Sequence, residues 1–192
     1  MEEILNVVIR RPGAEDEASA CRMFTASITD AFAQEKLADA AEDTAYEISH
    51  KSNLLRAAIE RPPSTSSSFG IPKEAFFLIA ELEGEVAGTI SFGPRGEKIR
   101  ELAGEELNGV GELGSLYVHP GIQNQGLGSR LIAAMMNELR DRGIETFCLD
   151  SGYGKAQERW RRKFGEPHVF AEDYWGPGAH HMIWFCRVED HE

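Results

Sequence analysis

The sequence contains few cysteines and has no long apolar run. Its three cysteines, Cys21, Cys148 and Cys186, are odd in number and far apart, so neither a disulfide framework nor a cysteine-ligated metal site is predicted. Residues 1–5 do not resemble a secretory leader, and no stretch approaches the roughly 20 apolar residues that cross a bilayer. We therefore expect a cytoplasmic protein with reduced thiols and no membrane association.

Positive charge is also scarce. The chain has 20 Lys and Arg against 32 Asp and Glu, which gives a formal net charge of −12. Nonspecific nucleic-acid binding depends on a cationic surface, so no nucleic-acid partner is expected. The negative charge is compatible with attraction of a cationic amine, although acidic surfaces are also ordinary in soluble proteins. With 42% hydrophobic residues in 192 positions, a single domain covering residues 1–192 is expected.

Apolar periodicity and turn residues predict strands mixed with helices. The predicted strands cover residues 6–11, 75–82, 85–92, 112–118, 144–149 and 182–188. The predicted helices cover residues 15–34, 43–61, 128–142 and 155–164. Residues 62–69 are Ser-rich and predict a loop, whereas residues 93–109 predict an excursion between strands with a short helix at 98–107. This mixture, which includes a hairpin across Glu83-Gly84, predicts an α+β or mixed α/β layer fold.

The most informative segment is the turn between a strand that ends at Val118 and a helix that begins near Gly128. A helix N-terminus presents N–H groups without helical partners and a positive partial charge, and glycines let a ligand approach the backbone closely. The turn therefore predicts a site for phosphate or pyrophosphate, with Arg130 as an added charged contact. A tight turn of this kind can equally use its glycines for structure alone.

Two common phosphate loops do not fit this turn. Gly121 and Gly126 have the spacing of a Walker loop, but Leu127 stands where that motif needs lysine. A dinucleotide-binding fingerprint needs a third glycine at the position of Leu131. Neither phosphate-loop pattern is complete, so the sequence does not favour a nucleotide-binding module.

The residues Val118-His119-Pro120, followed by Gln123-x-x-Gly126-x-Gly128, resemble the acetyl-CoA-binding motif of the GNAT superfamily of N-acetyltransferases. That motif is Gln/Arg-x-x-Gly-x-Gly/Ala after a strand that ends in Val-x-Pro. The order of predicted elements is similar to that family from residue 6 to 188, which is nearly the whole chain. The resemblance implies a central mixed β-sheet flanked by helices. It also implies transfer of an acetyl group from acetyl-CoA, as co-substrate, to a primary amine of a small molecule or peptide.

The same resemblance implies which residues would hold acetyl-CoA. Backbone N–H groups of residues 125–129 would bind the pyrophosphate, and strand residues 116–118 would pair with the pantetheine arm where this strand diverges from the next. A backbone N–H in that strand would polarise the thioester carbonyl. The implied cofactor-binding residues are Leu116, Tyr117, Val118, Gln123, Asn124, Gln125, Gly126, Leu127, Gly128, Ser129 and Arg130.

Glu112 is the implied general base, because it lies eleven residues before Gln123, where some members of the family carry a glutamate. It could equally be a solvated carboxylate at a strand end. Many members carry a tyrosine acid in the helix after the next strand, but counting from Tyr153 that position holds Trp160, which cannot donate as tyrosine does. Tyr153 and Tyr174 are the candidate substitutes. Because of this departure, a non-catalytic acyl-CoA-binding or sensory module is the alternative function.

The aromatic and Gly-rich residues 173–182 are expected to form part of the acceptor pocket, and Asp150 and Ser151 are expected to line the site. His180 and His181 are adjacent, which is poor geometry for two metal ligands from one element, so no metal site is predicted. The sequence leaves open the identity of the amine, any preference for a longer acyl group, and whether the chain forms a homodimer.

Overall fold

A computed structural model describes residues 6–35, 41–61 and 70–191 of the chain, and the predicted loop 62–69 lies outside these ranges. The strands are β1 (Val8–Arg10), β2 (Phe76–Leu82), β3 (Glu85–Gly93), β4 (Gly111–Val118), β5 (Thr146–Ser151), β6 (Val169–Ala171) and β7 (His181–Arg187). The helices are α1 (Glu17–Gln34), α2 (Ala41–Glu60), α3 (Glu97–Ala103), α4 (Leu127–Asp141) and α5 (Gly154–Phe164). None of the helices in these ranges combines the length and the apolar character needed to cross a membrane.

The strands form one mixed sheet with the order β1-β2-β3-β4-β5-β7-β6. Neighbouring strands are antiparallel except β4 and β5, which are parallel. Glu83 and Gly84 connect β2 to β3 with φ angles of 54° and 83°, the left-handed conformations that a two-residue hairpin turn needs. The predicted mixed sheet flanked by helices is therefore confirmed.

Three strands differ clearly from the prediction, and one of them is β1, which covers only Val8–Arg10 of the predicted 6–11. The strand predicted at 144–149 is β5, which begins at Thr146, because residues 143 and 144 form the cap that follows the preceding helix. Gly143 adopts a left-handed φ of 70°, and the Ile144 N–H donates to the carbonyl of Leu139 at 2.9 Å, which caps α4. Strand β6 is absent from the prediction, because its 3 residues are too short to show alternation.

Helices cover both faces of the sheet, and side chains along one strand alternate between the faces. On the first face, α4 and α5 pack over a core that includes Met135, Phe147 and Trp184. On the second face, α1 and α2 pack over β2 and β3, while α3 packs over β5 and β7 around Ile183. Between these two groups of helices, the second face carries Glu112, whose neighbour Leu113 faces the first core.

The central feature of the sheet is the divergence of β4 from β5. Among the described residues, the two strands pair only at Gly111 with Phe147 and at Glu112 with Cys148. From Leu113 onward, the edge of β4 that faces β5 is therefore open. A strand edge of this kind presents backbone N–H and C=O groups that an extended ligand can pair with.

The other edge of β4 carries a β-bulge. The register with β3 shifts around Ile90, so that Ser115 and Leu116 together oppose this one residue. Ser115 has a left-handed φ of 48°, and its carbonyl accepts a hydrogen bond from the Thr89 hydroxyl at 2.8 Å. A bulge bends and twists its strand, so this one contributes to the divergence of β4 from β5.

Gly111 begins β4, and a Cβ added there would overlap the fully buried ring of Phe92. We expect Gly111→Ala to lower the free energy of unfolding by about 1–3 kcal/mol, the usual cost of overpacking a core. Gly154→Ala is the matched control, because its Cβ would meet Glu35 Oε2 at an ordinary 3.6 Å in the first turn of α5. Urea unfolding of the two variants measures the difference, and equal stabilities would contradict the expected overlap.

Candidate active site

The turn before α4 leaves backbone N–H groups without helical partners. Gly126 is the N-cap of α4 and adopts a left-handed conformation, with φ 82° and ψ −2° and no side-chain cap. The first helical hydrogen bond runs from Arg130 N–H to Gly126 C=O at 3.1 Å, so the N–H groups of residues 127–129 remain free for a ligand. Residues 124–126 are exposed. This end of α4 can therefore bind an anion from solvent.

The conformation of the turn fits a large anion such as a pyrophosphate. Asn124 has a left-handed φ of 62°, as Gly126 does, and turns of this kind point successive N–H groups toward one side. A Cβ added at Gly126 would meet no atom within 4 Å, so open space adjoins the backbone where a ligand has to approach. The structure therefore satisfies the steric and electrostatic needs of the predicted anion site.

Two side chains of the motif have structural contacts of their own. Gln123 Nε2 donates to the carbonyl oxygen of Val118 at 3.1 Å, and Ser27 of α1 donates to the same oxygen at 3.1 Å. These bonds hold the turn against the end of β4. Arg130 Nη2 donates to the carbonyl oxygen of Val7 at 3.2 Å. The predicted contact of Arg130 with an anion stays a prediction.

Glu112 lies at the opposite end of the open β4 edge, where β4 and β5 stop pairing. Its side chain is half-buried, and one carboxylate oxygen accepts a hydrogen bond from the N–H of Gly96 at the start of α3. Burial raises the pKa of Glu112 to about 7, and the charge of Asp150 acts in the same direction. The Gly96 N–H, Lys51 and Arg100 oppose this shift. A carboxylate that ionises near neutral pH is suited to accept a proton from an amine.

Helix α2 adds a second carboxylate to the same face. The Tyr117 hydroxyl donates to Glu47 Oε1 at 3.1 Å, and Lys51 Nζ lies 3.5 Å from that oxygen. Burial, and secondarily the charge of Glu47, raise the pKa of Tyr117 well above its ordinary value. Sequence reasoning missed Glu47, because it is 70 positions from Tyr117 and nothing in the pattern of α2 distinguishes it from other surface acids.

The two candidate acids differ in how their hydroxyls are engaged. Tyr153 is half-buried against Phe32, with ring centroids 5.8 Å apart, and its hydroxyl makes no hydrogen bond to any described residue. Burial and the carboxylates of α2 raise its pKa to about 12, so the hydroxyl keeps its proton at neutral pH. Tyr174 instead donates to Glu101 at 2.9 Å and accepts from Lys98 at 2.8 Å. Of these two tyrosines, only Tyr153 therefore has a hydroxyl without a hydrogen-bond partner among the described residues.

Trp160 lies in the core and not beside Glu112. It packs against the cluster on the first face of the sheet, and its ring centroid is 5.5 Å from that of Phe164. Trp160 therefore has a packing role in this chain.

A sequence profile of the "Acetyltransferase (GNAT) family" matches residues 43–166, which is more than half of the chain. The chain belongs to the GNAT family of acetyltransferases. None of the curated proteins compared with it gives a match.

Solved structures share the fold of this GNAT protein. A GNAT-family protein from Desulfovibrio desulfuricans has a TM-score of 0.67 at 17% identity, with 95% of this chain and 99% of that chain covered. The PaiA N-acetyltransferase from Thermoplasma acidophilum, solved with coenzyme A, has a TM-score of 0.59 at 16% identity and covers 94% and 99%. YncA from Salmonella typhimurium, solved with acetyl-CoA, has a TM-score of 0.59 at 18% identity and covers 97% and 96%.

Three of the six histidines of this GNAT protein lie near carboxylates, and for His180 the distance from Nδ1 to Asp173 Oδ1 is 3.6 Å. His168 lies 3.1 Å from Glu106, and His180 accepts a hydrogen bond from the N–H of Asp173 at 3.0 Å. No group of three or more metal-ligating side chains occurs in the described part of the chain. The third histidine, His181, is buried beside Asp150, and sequence reasoning did not connect the two.

Proposed function

We propose that this GNAT protein transfers the acetyl group of acetyl-CoA to a primary amine of a small molecule or a peptide. The observation that carries the proposal is the open edge of β4, which joins the turn of residues 123–129 at one end to Glu112 at the other. An anion site and a proton acceptor are the two chemical needs of the reaction, and the fold connects them along one strand.

In the proposed complex, the N–H groups of residues 125–129 hold the pyrophosphate of acetyl-CoA, and Arg130 adds charge nearby. Residues 116–118 pair with the pantetheine arm through the open edge of β4, in the manner of an added strand. Two of the structurally similar proteins hold coenzyme A or acetyl-CoA. The bulge at Ser115 redirects the backbone just before Leu116. In the proposed complex, an N–H at residues 116–118 stabilises the oxyanion of the thioester.

In the proposed reaction, the amine nitrogen attacks the thioester carbonyl carbon. The C–N bond forms, the C–S bond breaks, and the leaving sulfur departs as a thiolate that must gain a proton. Glu112 accepts the proton that the amine loses, directly or through water. Tyr153 is the proposed donor to the thiolate, because its hydroxyl proton is not committed to a described partner. Tyr174 is the second candidate.

Release of free thiol from acetyl-CoA tests this proposal. Purified protein is incubated with acetyl-CoA and a panel of small amines and peptides, and a thiol reagent reports CoA release. We expect release that depends on both the protein and an acceptor, and a strong thermal stabilisation by acetyl-CoA that ATP does not reproduce. Stabilisation by acetyl-CoA without turnover across the panel would instead support the non-catalytic acyl-CoA-binding or sensory module.

A further inference from the structure

His181, at the start of β7, is a buried histidine that the reaction described above does not use. It is 4% exposed. Its Nε2 lies 2.9 Å from Asp150 Oδ2, and its Nδ1 accepts a hydrogen bond from Trp175 Nε1 at 3.1 Å. The ring of Tyr174 packs on it, with centroids 5.6 Å apart. Three side chains from two segments therefore fix the position of one imidazole.

The direction of these hydrogen bonds follows from the chemistry of tryptophan. The indole N–H can only donate, so the Nδ1 atom of His181 must supply a lone pair. The ring proton then lies on Nε2, where it is donated to Asp150. The result is a one-way chain, Trp175 to His181 to Asp150, that directs an N–H donor at the carboxylate and stabilises its negative charge.

Strand register places Asp150 beside Glu112. Glu112 pairs with Cys148, and Asp150 is two residues further along β5, so its side chain points to the same face as that of Cys148. The strands diverge at this point, so the Asp150 carboxylate adjoins the opening between them. Its side chain is 24% exposed, and Oδ1 accepts no hydrogen bond from the described part of the chain.

The other charged groups around this pair come from α2 and α3. Lys51 of α2 and Arg100 of α3 favour the ionised form of Glu112, as does the N–H of Gly96. Glu101 of α3 interacts electrostatically with His181, and it also accepts a hydrogen bond from the Tyr174 hydroxyl. After burial, the charge of Asp150 has the largest effect on the pKa of Glu112, and it acts against Lys51, Arg100 and the Gly96 N–H.

We propose that Trp175, His181 and Asp150 form a positioning chain that fixes an ionised carboxylate beside Glu112 and thereby sets the pH range in which the enzyme works. This inference rests on the proposed role of Glu112 as general base. Asp150 does not exchange a proton with the substrate in this account. It acts through Glu112, because a negative charge held beside a second carboxyl group disfavours the ionisation of that group.

The first test determines the direction of the hydrogen bonds from Trp175 through His181 to Asp150 in the unaltered protein. Nitrogen-15 NMR of the imidazole distinguishes a protonated ring nitrogen from an unprotonated one. We expect a protonated Nε2 and an unprotonated Nδ1 for His181. A proton on Nδ1 would refute the proposed positioning chain, because Trp175 could not then donate a hydrogen bond to Nδ1.

The second test removes the charge of Asp150 and keeps its shape. Asp150→Asn retains an oxygen that can accept from His181 Nε2, so the geometry is preserved while the charge is lost. We expect the midpoint of the Glu112 carboxyl titration, followed by carbon-13 NMR, to fall by about one pH unit. The acid limb of the kcat/KM profile should move by the same amount. An unmoved Glu112 midpoint would refute the proposal.

Glu106→Gln provides the matched control. Glu106 also pairs with a histidine, His168, at 3.1 Å, but its side chain is 65% exposed. We expect this variant to leave both the Glu112 titration and the pH profile unchanged. The carbon-13 titration needs no turnover, so it separates two failures. Lack of acetyl transfer in the unaltered protein would reject the proposed function, whereas an unmoved midpoint would reject only the positioning chain.

Discussion

Replacing Glu112 by glutamine is expected to lower kcat/KM for amine acetylation by about 100- to 10,000-fold, the usual contribution of a positioned general base. Glutamine has nearly the same shape and can still accept the hydrogen bond from Gly96, so the site should stay intact. Acetyl-CoA affinity should be unchanged, because Glu112 lies at the far end of the β4 edge from the anion site. Steady-state kinetics together with calorimetric titration of acetyl-CoA measure both quantities.

The role of Glu112 as general base also predicts how kcat/KM changes with pH. The pKa of Glu112 is about 7, and only the ionised carboxylate can take a proton, so kcat/KM of the unaltered protein should rise as pH increases through about 7. The Glu112→Gln variant should lose this inflection. A variant that keeps both the activity and the inflection would show that Glu112 is not the base.

As pH rises, the folding stability of the unaltered protein should fall while its activity rises. The folded-state pKa of Glu112 lies above the ordinary value of 4.5, so the unaltered protein loses stability as pH rises from about 4.5 to about 7. Glutamine does not titrate. We therefore expect Glu112→Gln to become more stable relative to the unaltered protein across this window, by about 3 kcal/mol above pH 7. Urea unfolding at pH 5 and pH 8 measures the difference.

Much of this fold follows from local sequence signals. The left-handed residues of the β2–β3 hairpin, the amphipathic stripe of α4 and the glycines of the α4 turn all act within a few positions of one another. Apolar residues that recur with a period of 3.6 mark the buried face of a helix, and a period of 2 marks the buried face of a strand. The divergence of β4 and β5 was expected from the family resemblance, and the register that ends at Glu112 agrees with it.

The parts of the site that the sequence does not reveal depend on distant pairs. Asp150 and His181 are 31 positions apart, and they meet because β5 and β7 are neighbours with Asp150 opposite Ile183. Two adjacent histidines in a Gly-rich segment give no sign of which one is buried. In the structure, His181 is the buried histidine, because it begins β7 with its side chain facing inward, whereas His180 precedes the strand.

Gly126→Asp is expected to raise the dissociation constant of acetyl-CoA by about 100-fold or more. The substitution places a carboxylate where the N–H groups of α4 face the proposed pyrophosphate, and like charges in contact cost several kcal/mol. A left-handed φ of 82° also strains any residue with a Cβ. The surrounding space is open, so the fold itself should survive. Calorimetric titration of coenzyme A measures the change in affinity.

Gly143→Asp separates loss of the site from backbone strain. Gly143 terminates the same helix, has a left-handed φ of 70°, and would also place a Cβ in open space. Aspartate there meets the negative end of the helix dipole, so this control should be the less stable of the two variants. It should nevertheless bind coenzyme A normally. If both variants lost affinity equally, general strain would explain the result, and if neither did, the pyrophosphate would have to bind elsewhere.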